Sequence, residues 1–287
     1  MSGSYWEARP PAYHCEMTGE LPPEIAAYYE RGKEHERLSS GVGLLELLRT
    51  QQILRRTLPP PPATVLDVGG GPGAHATWLA RDGYDVLLVD PVPSHVEQAR
   101  QISQDQSGHR FRTELGEARR LPVDDESQDV VLLLGPLYHL TARSERVAAL
   151  LEARRVLRHA GVLVIAGISR FGDWLYGLQF ELLGDPDFYR LAAESVRTGQ
   201  HRSSGERWFT TAYFHLPDEL RDELEEAGFE RVELVAVEGV GPFLPDLQAR
   251  LDDRARRDQL LGDLEAIEHE ASLLGASAHL LAISWKR

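Results

Sequence analysis

The chain has 287 residues, a formal net charge of -14 at pH 7 and a hydrophobic fraction of 42%. This length allows one large domain or two small ones, and the hydrophobic fraction is typical of a globular protein with a full core. Because so acidic a surface repels phosphate backbones, we expect no nucleic-acid partner. No apolar run approaches the ~20 residues of a transmembrane helix, so we expect no membrane partner either.

The single cysteine, Cys15, leaves no second thiol for an intrachain disulfide or for a multi-cysteine metal site. The first residues show no charged segment followed by an apolar run, which together with the lone cysteine predicts a reducing, cytoplasmic location. No histidines and acids stand at the spacing of metal ligands, so no metal is predicted. The sequence predicts no particular oligomeric state.

Residues 1–62 are predicted to form a helical extension that could act as a lid. Apolar residues recur at helical spacing over 24–33 and 44–58, and the four prolines at 59–62 end the second helix. From residue 63 the pattern changes to short apolar, β-branched runs, which are typical of strands buried on both faces of a parallel sheet. These runs lie at 64–68, 85–89, 110–114, 129–134 and 161–168.

Helical segments separate several of these runs, at 74–81, 94–103 and 144–157. Alternating strands and helices predict βαβ units and hence an α/β fold with a doubly wound, mostly parallel sheet. Residues 169–215 interrupt the alternation, because they are rich in aromatics and contain no clear strand. We therefore predict one α/β domain over 63–287, with 169–215 inserted as a lid over the substrate.

After the insert, the sequence predicts a helix at 217–227 with Gly228 as its C-cap, and two final strands at 232–237 and 280–285. A long polar helical stretch at 246–271 separates those two strands.

The first predicted strand runs into a glycine-rich turn, residues 67–73 (DVGGGPG), and a predicted helix follows. Glycine lets a ligand approach the main chain closely, and open α/β sheets bind ligands at the carboxyl ends of their strands. The second strand ends at Asp90, 17 residues after Gly73, where a carboxylate could accept hydrogen bonds from both hydroxyls of a ribose. The turn and the acid together predict a nucleoside-bearing cofactor.

Two cofactors fit this pattern. Gly69, Gly71 and Ala74 match the dinucleotide fingerprint, so an NAD(P)-dependent oxidoreductase is one possibility. Asp67 favours S-adenosylmethionine, since an acid beside a helix N-terminus disfavours a pyrophosphate but could hold an ammonium group. A third possibility is a non-catalytic S-adenosylmethionine-binding protein. The aromatic insert argues weakly against that third possibility, because a sensor needs no substrate lid.

Residues 63–168 resemble the class I S-adenosylmethionine-dependent methyltransferase family. The matching segments follow the family's order and spacing: 66–73 (LDVGGGPG), 89–91 (VDP), 116–122 (GEARRLP), 129–136 (DVVLLLGP) and the helix and turn at 145–161. The last two strands resemble the antiparallel hairpin that ends this family's seven-stranded sheet. The resemblance implies transfer of a methyl group from S-adenosylmethionine to an oxygen, nitrogen or carbon of a small molecule, with S-adenosylhomocysteine as product.

The resemblance also implies roles for the residues around the glycine turn. It places the methionine part of the cofactor against Asp67 and the backbone of Gly69, Gly71 and Gly73. It places the ribose at residues 90–91, where the Asp90 carboxylate precedes Pro91.

Further along, the resemblance places the adenine beside Glu117 and Ala118 and the sulfonium near Leu134. Glu117 departs from the family, in which aspartate, with its shorter side chain, is commoner at the position that faces the adenine amine. The lead-in helix could bring Tyr29 and Arg37 to the cofactor, since a guanidinium fork fits a carboxylate. The alternative for Arg37 is an ordinary surface ion pair.

His139 follows the fourth predicted strand, together with Tyr138, and so lies at the ligand-facing edge of the sheet. A histidine there could take a proton from the methyl acceptor, and we interpret His139 as the candidate catalytic base. The alternative is that His139 caps a turn. His201 and His215 in the insert are weaker candidates. The aromatics of the insert favour an apolar or aromatic substrate, unless they form the insert's own core.

Overall fold

The computed structural model describes residues 22–31 and 37–287. Two helices of the predicted extension are present within these ranges, α1 (Pro23–Tyr29) and α2 (Gly41–Thr57). Cys15 and the last residues of the predicted first helix, 32 and 33, lie outside the described residues. No helix in the described ranges combines the length and the apolar composition that crossing a bilayer requires.

A mixed sheet forms the centre of the fold and confirms the predicted α/β class. Five parallel strands lie in the spatial order β3-β2-β1-β4-β5, and the antiparallel strands β9 and β8 follow beside β5. These seven strands correspond to the predicted ones. Their bounds are β1 (Thr64–Val68), β2 (Asp85–Asp90), β3 (Arg112–Leu115), β4 (Gln128–Leu133), β5 (Leu157–Ser169), β8 (Val232–Ala236) and β9 (His279–Trp285).

Helices cover both faces of the sheet. Successive residues of one strand enter different clusters of the core: Leu66 and Val131 pack in one cluster, Val65 and Val130 in the other. Two buried faces explain why the strands read as continuous apolar runs rather than as alternating patterns. The connecting helices are α3 (Ala74–Arg81), α4 (Pro93–Asp105), α5 (Pro136–His139), α6 (Arg143–Val156) and α9 (Pro217–Glu226).

The insert contains two strands, so the prediction that residues 169–215 hold no strand is wrong. After α7 (Gly172–Gln179) and α8 (Pro186–Thr198), β6 (Gln200–Ser204) and β7 (Thr210–His215) form an antiparallel hairpin. β7 pairs with the last two residues of β5, Ile168 and Ser169, beyond the point where β4 ends. β6 has the polar sequence QHRSS, which gives no apolar signal for a strand.

The polar stretch at 246–271 forms two helices instead of the single predicted one, α10 (Leu247–Asp252) and α11 (Arg254–Glu265). Asp253 has extended backbone angles between them, and its side chain accepts a hydrogen bond from the backbone N–H of Arg256 at 2.9 Å. This N-cap starts a new helix, which competes with continuation of the previous one.

The extension is attached to the sheet by a buried ion pair. Arg49 of α2 is fully buried, forms an ion pair with the buried carboxylate of Glu268 and donates to the carbonyl oxygen of Val237 at 3.0 Å. Because breaking a buried pair leaves an uncompensated charge, this contact fixes α2 against the end of β8.

The first helix packs on the hairpin of the insert. Thr210 Oγ1 donates to the carbonyl oxygen of Glu24 at 3.3 Å, and the Arg31 guanidinium donates to the carbonyl oxygen of Gly205 at 2.5 Å. The rings of Tyr28 and Phe209 meet edge to face, with their centroids 5.4 Å apart. The two segments predicted as lids therefore touch each other at the carboxyl edge of the sheet. Their closure over a ligand stays a prediction.

We expect S-adenosylhomocysteine to slow amide hydrogen exchange in α1 and in the β6–β7 hairpin, because a ligand that binds beneath them stabilises the closed arrangement. Peptides from α6, whose apolar residues pack in the core cluster that contains Leu66 and Val131, serve as the internal control. Unchanged exchange in both segments at saturating ligand would show that they do not form a lid.

Candidate functional site

The glycine turn is held between the ends of three strands. The Gly69 N–H donates to the carbonyl oxygen of Val89 at 2.7 Å, which ties the end of β1 to β2. A Cβ at position 69 would lie 2.5 Å from Cγ of Pro136, which follows β4. Gly69, Gly71 and Gly73 all have positive φ angles, 67°, 56° and 98°. The turn therefore requires glycine on both steric and conformational grounds.

Asp90 fixes the turn from the neighbouring strand. Its buried carboxylate accepts hydrogen bonds from the backbone N–H groups of Gly71 and Val92, each at 2.9 Å, and lies 3.2 Å from Nδ1 of His95. Since a carboxylate offers about four acceptor positions, about one remains for a ligand. To accept both hydroxyls of a ribose, Asp90 would have to exchange one of its present partners.

Asp67 is buried with one oxygen unsatisfied. Its side chain is 1% exposed, and Oδ2 has no hydrogen-bond partner among the described residues. Burial raises the pKa of Asp67 to about 7, and the charge of Asp90 adds to the effect while a backbone hydrogen bond from Ala76 opposes it. An unpartnered buried carboxylate oxygen fits an ammonium group, which would supply both a hydrogen bond and the opposite charge.

His95 is a residue of this site that sequence reasoning missed. It lies in the first turn of α4, 4% exposed, with Nδ1 on Asp90 and with Nε2 buried and unpartnered among the described residues. Tyr29 of α1 meets its ring edge to face at 5.5 Å. The sequence signal that could have identified His95 is a polar side chain at a buried position of the helix, five residues after Asp90. His95 Nε2 is the second unsatisfied buried polar atom beside the turn.

His139 has a defined protonation state. Its Nδ1 lies 3.1 Å from the carbonyl oxygen of Thr211 and its Nε2 lies 2.7 Å from the hydroxyl of Tyr29. A carbonyl can only accept, so Nδ1 carries the proton and Nε2 of the neutral ring accepts the Tyr29 O–H. Burial lowers the pKa of His139 to about 4, although the Thr211 carbonyl and the charge of Asp90 act in the opposite direction. The imidazole is therefore neutral at pH 7, with its lone pair directed at a phenol.

Aromatic rings from three segments surround His139. The ring centroids of Tyr138, Tyr29 and Phe209 lie 4.8, 5.4 and 5.6 Å from that of His139. Tyr138 follows β4, Tyr29 belongs to the extension and Phe209 to the insert. These contacts bring the lone pair of His139 into an apolar, aromatic environment of the kind that encloses apolar ligands.

For the other predicted cofactor residues, the structure shows their burial and their protein contacts but no feature that indicates a ligand. Leu134 is partly buried against the core beside β4, and Ala118 is 5% exposed within the core. The Glu117 carboxylate accepts hydrogen bonds from the backbone N–H of Arg119 at 3.1 Å and from its guanidinium at 2.8 Å. In this structure Glu117 is therefore engaged by its own loop, and its contact with an adenine stays a prediction, as does the place of Pro91 beside the ribose.

Arg37 forms an ion pair with Glu46 of α2, including a 3.1 Å hydrogen bond to Oε1. This is the ion-pair alternative that the sequence left open. A role of Arg37 at the cofactor carboxylate would require it to share or leave Glu46.

The two weaker histidine candidates are engaged elsewhere. His201 is buried, with Nδ1 2.7 Å from the Asp173 carboxylate and Nε2 3.0 Å from the carbonyl oxygen of Phe209. His215 is buried beside Glu223, at 3.3 Å, and burial lowers its pKa. Nδ1 of His201 thus links the hairpin to α7, Nε2 makes a contact within the hairpin, and His215 joins α9 to β7.

Comparison with known proteins agrees with this geometry. The methyltransferase domain family matches residues 65–161, from β1 into β5. The demethylmenaquinone methyltransferase of Roseiflexus castenholzii is 30% identical over 241 residues, which cover 75% of this chain and 91% of the relative. The arsenite methyltransferase of Halobacterium salinarum is 29% identical over 67% of this chain, but the chain spans only 44% of that protein.

Among solved structures, an S-adenosylmethionine-dependent methyltransferase from Thermotoga maritima, described as a possible histamine N-methyltransferase, superimposes with a TM-score of 0.55. It is 21% identical and the match covers 92% of this chain and all of that one. The sheet, the glycine turn and the acid that ends β2 define a Rossmann-like methyltransferase fold. The chain belongs to the class I S-adenosylmethionine-dependent methyltransferase family. This membership favours S-adenosylmethionine over the nicotinamide alternative.

We expect the affinity for S-adenosylhomocysteine to rise roughly tenfold between pH 6 and pH 8, because the ammonium group requires ionised Asp67 and the pKa of Asp67 is about 7. Asp67→Asn should weaken binding and flatten this pH dependence. Calorimetric titrations at several pH values provide the measurement. A wild-type affinity that does not change with pH would contradict the assignment.

The same substitution should raise the melting temperature of the ligand-free protein at pH 8. A carboxyl whose folded-state pKa lies above its unfolded value makes the folded state less stable as pH rises through that interval, and Asn removes this charge.

Proposed function

We propose that this protein transfers the methyl group of S-adenosylmethionine to a hydroxyl group of an apolar or aromatic small molecule. The observation that carries the proposal is the neutral His139, whose Nε2 lies 2.7 Å from a phenolic hydroxyl at the carboxyl edge of the sheet. The aromatic surroundings of His139 and the acidic net charge of the chain support a small-molecule acceptor rather than a nucleic acid. The R. castenholzii relative, which is named for demethylmenaquinone, is consistent with an aromatic acceptor.

In this proposal Asp67 holds the ammonium of the cofactor's methionine part and Asp90 its ribose, with the turn backbone of Gly69 to Gly73 beside them. Bound there, S-adenosylmethionine supplies a methyl group on a sulfonium. Attack of the acceptor oxygen on that methyl carbon would form a carbon–oxygen bond, break the carbon–sulfur bond and leave a methyl ether, S-adenosylhomocysteine and one proton. The chain's own residues align the two reactants, exclude water and receive that proton.

The pKa of His139 decides when the proton moves. A base with a pKa of about 4 cannot remove the proton of a free phenol, whose pKa of about 10 makes that transfer uphill by roughly 8 kcal/mol. The acceptor oxygen becomes strongly acidic as the new carbon–oxygen bond forms, and a weak base is then sufficient. His139 therefore takes the proton during methyl transfer rather than before it.

Tyr29 shows how an acceptor could reach His139. Its phenol occupies the lone pair of Nε2 in the present structure, so a phenolic oxygen fits at that position. Either the acceptor hydroxyl replaces Tyr29 there, or Tyr29 passes the proton from the acceptor to His139. The first arrangement follows directly from the observed contact, and we adopt it.

The cofactor part of the proposal is tested by binding. S-Adenosylhomocysteine should bind and Asp90→Ala should weaken binding by about 1.5–3 kcal/mol, because the ribose hydroxyls lose a charged acceptor. Incubation with methyl-labelled S-adenosylmethionine and a panel of phenols should then yield labelled ethers. Glu97→Ala, at an exposed carboxylate of α4, is the matched control. Binding of NADH without binding of S-adenosylhomocysteine would overturn the family-based assignment.

The proton-transfer part is tested by a pair of variants. His139→Ala should lower turnover by roughly 10²-fold or more, the contribution of a positioned base, with little change in cofactor affinity. Tyr29→Phe should retain turnover, because the acceptor itself occupies Nε2. At S-adenosylmethionine concentrations that saturate the protein at every pH, the wild-type turnover should show no inflection near pH 6.5 and should decline only near pH 4. Equal losses in both variants would instead identify Tyr29 as a relay, and full activity of His139→Ala would show that His139 is structural.

A further inference from the structure

A second group of charged residues meets at the carboxyl edge, outside the cofactor turn. Glu46 lies on α2, Glu238 follows β8 and His279 begins β9; one nitrogen or oxygen atom from each lies within 4.8 Å of the others. Arg37 joins them through its ion pair with Glu46. We refer to these four residues as the edge cluster. Only Arg37 among them was singled out from the sequence.

The carboxylates of the edge cluster already have donors. The fully buried Glu238 accepts hydrogen bonds from Ser277 Oγ at 2.9 Å and from the His279 backbone N–H at 3.0 Å, while its other oxygen lies 2.5 Å from His279 Nδ1. Glu46 receives the guanidinium fork of Arg37, and one of its oxygens lies 3.9 Å from the same Nδ1. Nδ1 of His279 thus faces two carboxylates and carries a proton.

The ring of His279 is cationic. Burial favours the neutral ring, but the charges of Glu46 and Glu238 outweigh burial and raise the pKa of His279 to about 9. Both ring nitrogens of an imidazolium are donors. Nε2 has no partner among the described residues, and the side chain is 23% exposed. His279 therefore presents one charged N–H group that no acceptor in residues 22–31 or 37–287 engages.

The hydrogen bonds and ion pairs within the edge cluster determine which kind of ligand it can bind. A metal ion needs deprotonated ligands, and here the nearest nitrogen is protonated and both carboxylates are taken by donors. With His279 protonated, the two positive and two negative charges of the cluster cancel. What remains available is a hydrogen-bond donor, so the ligand is a hydrogen-bond acceptor.

The edge cluster lies beside the cofactor turn. His279 pairs with Ile168 at the end of β5, and β5 lies between β9 and β4 in the sheet. Since neighbouring strands are about 4.8 Å apart, β9 lies roughly 10 Å from the strand that leads to His139. Glu46 also acts electrostatically on His75, in the first turn of α3. His279 and the segment that carries His139 therefore lie at the same edge of the sheet, two strands apart.

We propose that His279 binds a carboxylate or carbonyl oxygen of the methyl acceptor through Nε2–H, with Glu46 and Glu238 holding the ring in place. The proposal rests on the function proposed above for the location of the acceptor, and it adds a substrate class: a hydroxylated, apolar or aromatic molecule that also carries an acidic or carbonyl group. The carboxylate partners orient His279, and the exposed N–H selects the acceptor.

The test uses the full chain saturated with S-adenosylhomocysteine and two probes of equal size, benzoate and benzylamine. Benzoate should shift the imidazole NMR signals of His279 in a saturable way, and benzylamine, which offers no acceptor oxygen, should not. His279→Gln should weaken benzoate binding roughly 10- to 100-fold, the usual effect of losing a hydrogen bond to a charged group. His159→Gln, at an exposed histidine near the start of β5, is the matched control and should bind as the wild type does.

Three results would overturn the proposal: no shift at His279 with benzoate, equal benzoate affinity in His279→Gln, or stoichiometric Zn²⁺ binding that is lost in His279→Gln. One result distinguishes failure of the proposed methyl transfer from failure of the His279 site. If S-adenosylhomocysteine does not bind but benzoate shifts His279 in the ligand-free chain, the methyl-transfer proposal fails while the donor site stands.

Discussion

Two buried carboxylates behind the glycine turn constrain the whole ligand-facing edge. Asp90 has three donors around it, whereas Asp67 retains an oxygen without any among the described residues. Burial and the charge of Asp90 raise the pKa of Asp67 to about 7, and a cation beside Asp67 would favour its ionised form. The sheet makes this arrangement unavoidable, because parallel strands β1 and β2 deliver both acids to one edge. The two buried carboxylates lower the stability of the folded protein and raise its affinity for a cationic ligand.

The elements beyond the core are arranged around this edge. The buried pair of Arg49 with Glu268 holds α2 against the sheet, and α1 reaches the hairpin through Thr210 and Arg31. These contacts explain why a segment distant in sequence supplies the hydroxyl on His139. Extension and insert thus depend on each other: α2 is fixed against the end of β8, and the hairpin pairs with the end of β5.

The sequence predicted what local patterns encode and missed what distant contacts create. Strands β1, β2, β4 and β5 were found because burial on both faces leaves continuous apolar runs, and the turn because its glycines and acids lie close together in the chain. β6 was missed because QHRSS is polar, and the break at Asp253 because capping outweighed a helical pattern. The partners of His279 lie 41 and 233 residues away, so no spacing rule could show that its ring would face two acids.

His139 and His279 show how environment divides one residue type between opposite roles. Burial among aromatic rings and a carbonyl on Nδ1 keep His139 neutral, with a pKa of about 4 and a lone pair to offer. Two carboxylates keep His279 charged, with a pKa of about 9 and an N–H group that can donate a hydrogen bond. When the surroundings of two titratable groups shift their pKa values in opposite directions, one group usually acts as the acid and the other as the base. Between them, an acceptor with a hydroxyl at one end and an acidic or carbonyl oxygen at the other would be held in one orientation. The hydroxyl would face the aromatic cluster beside β4, and the reverse orientation would place a carboxylate on a neutral lone pair.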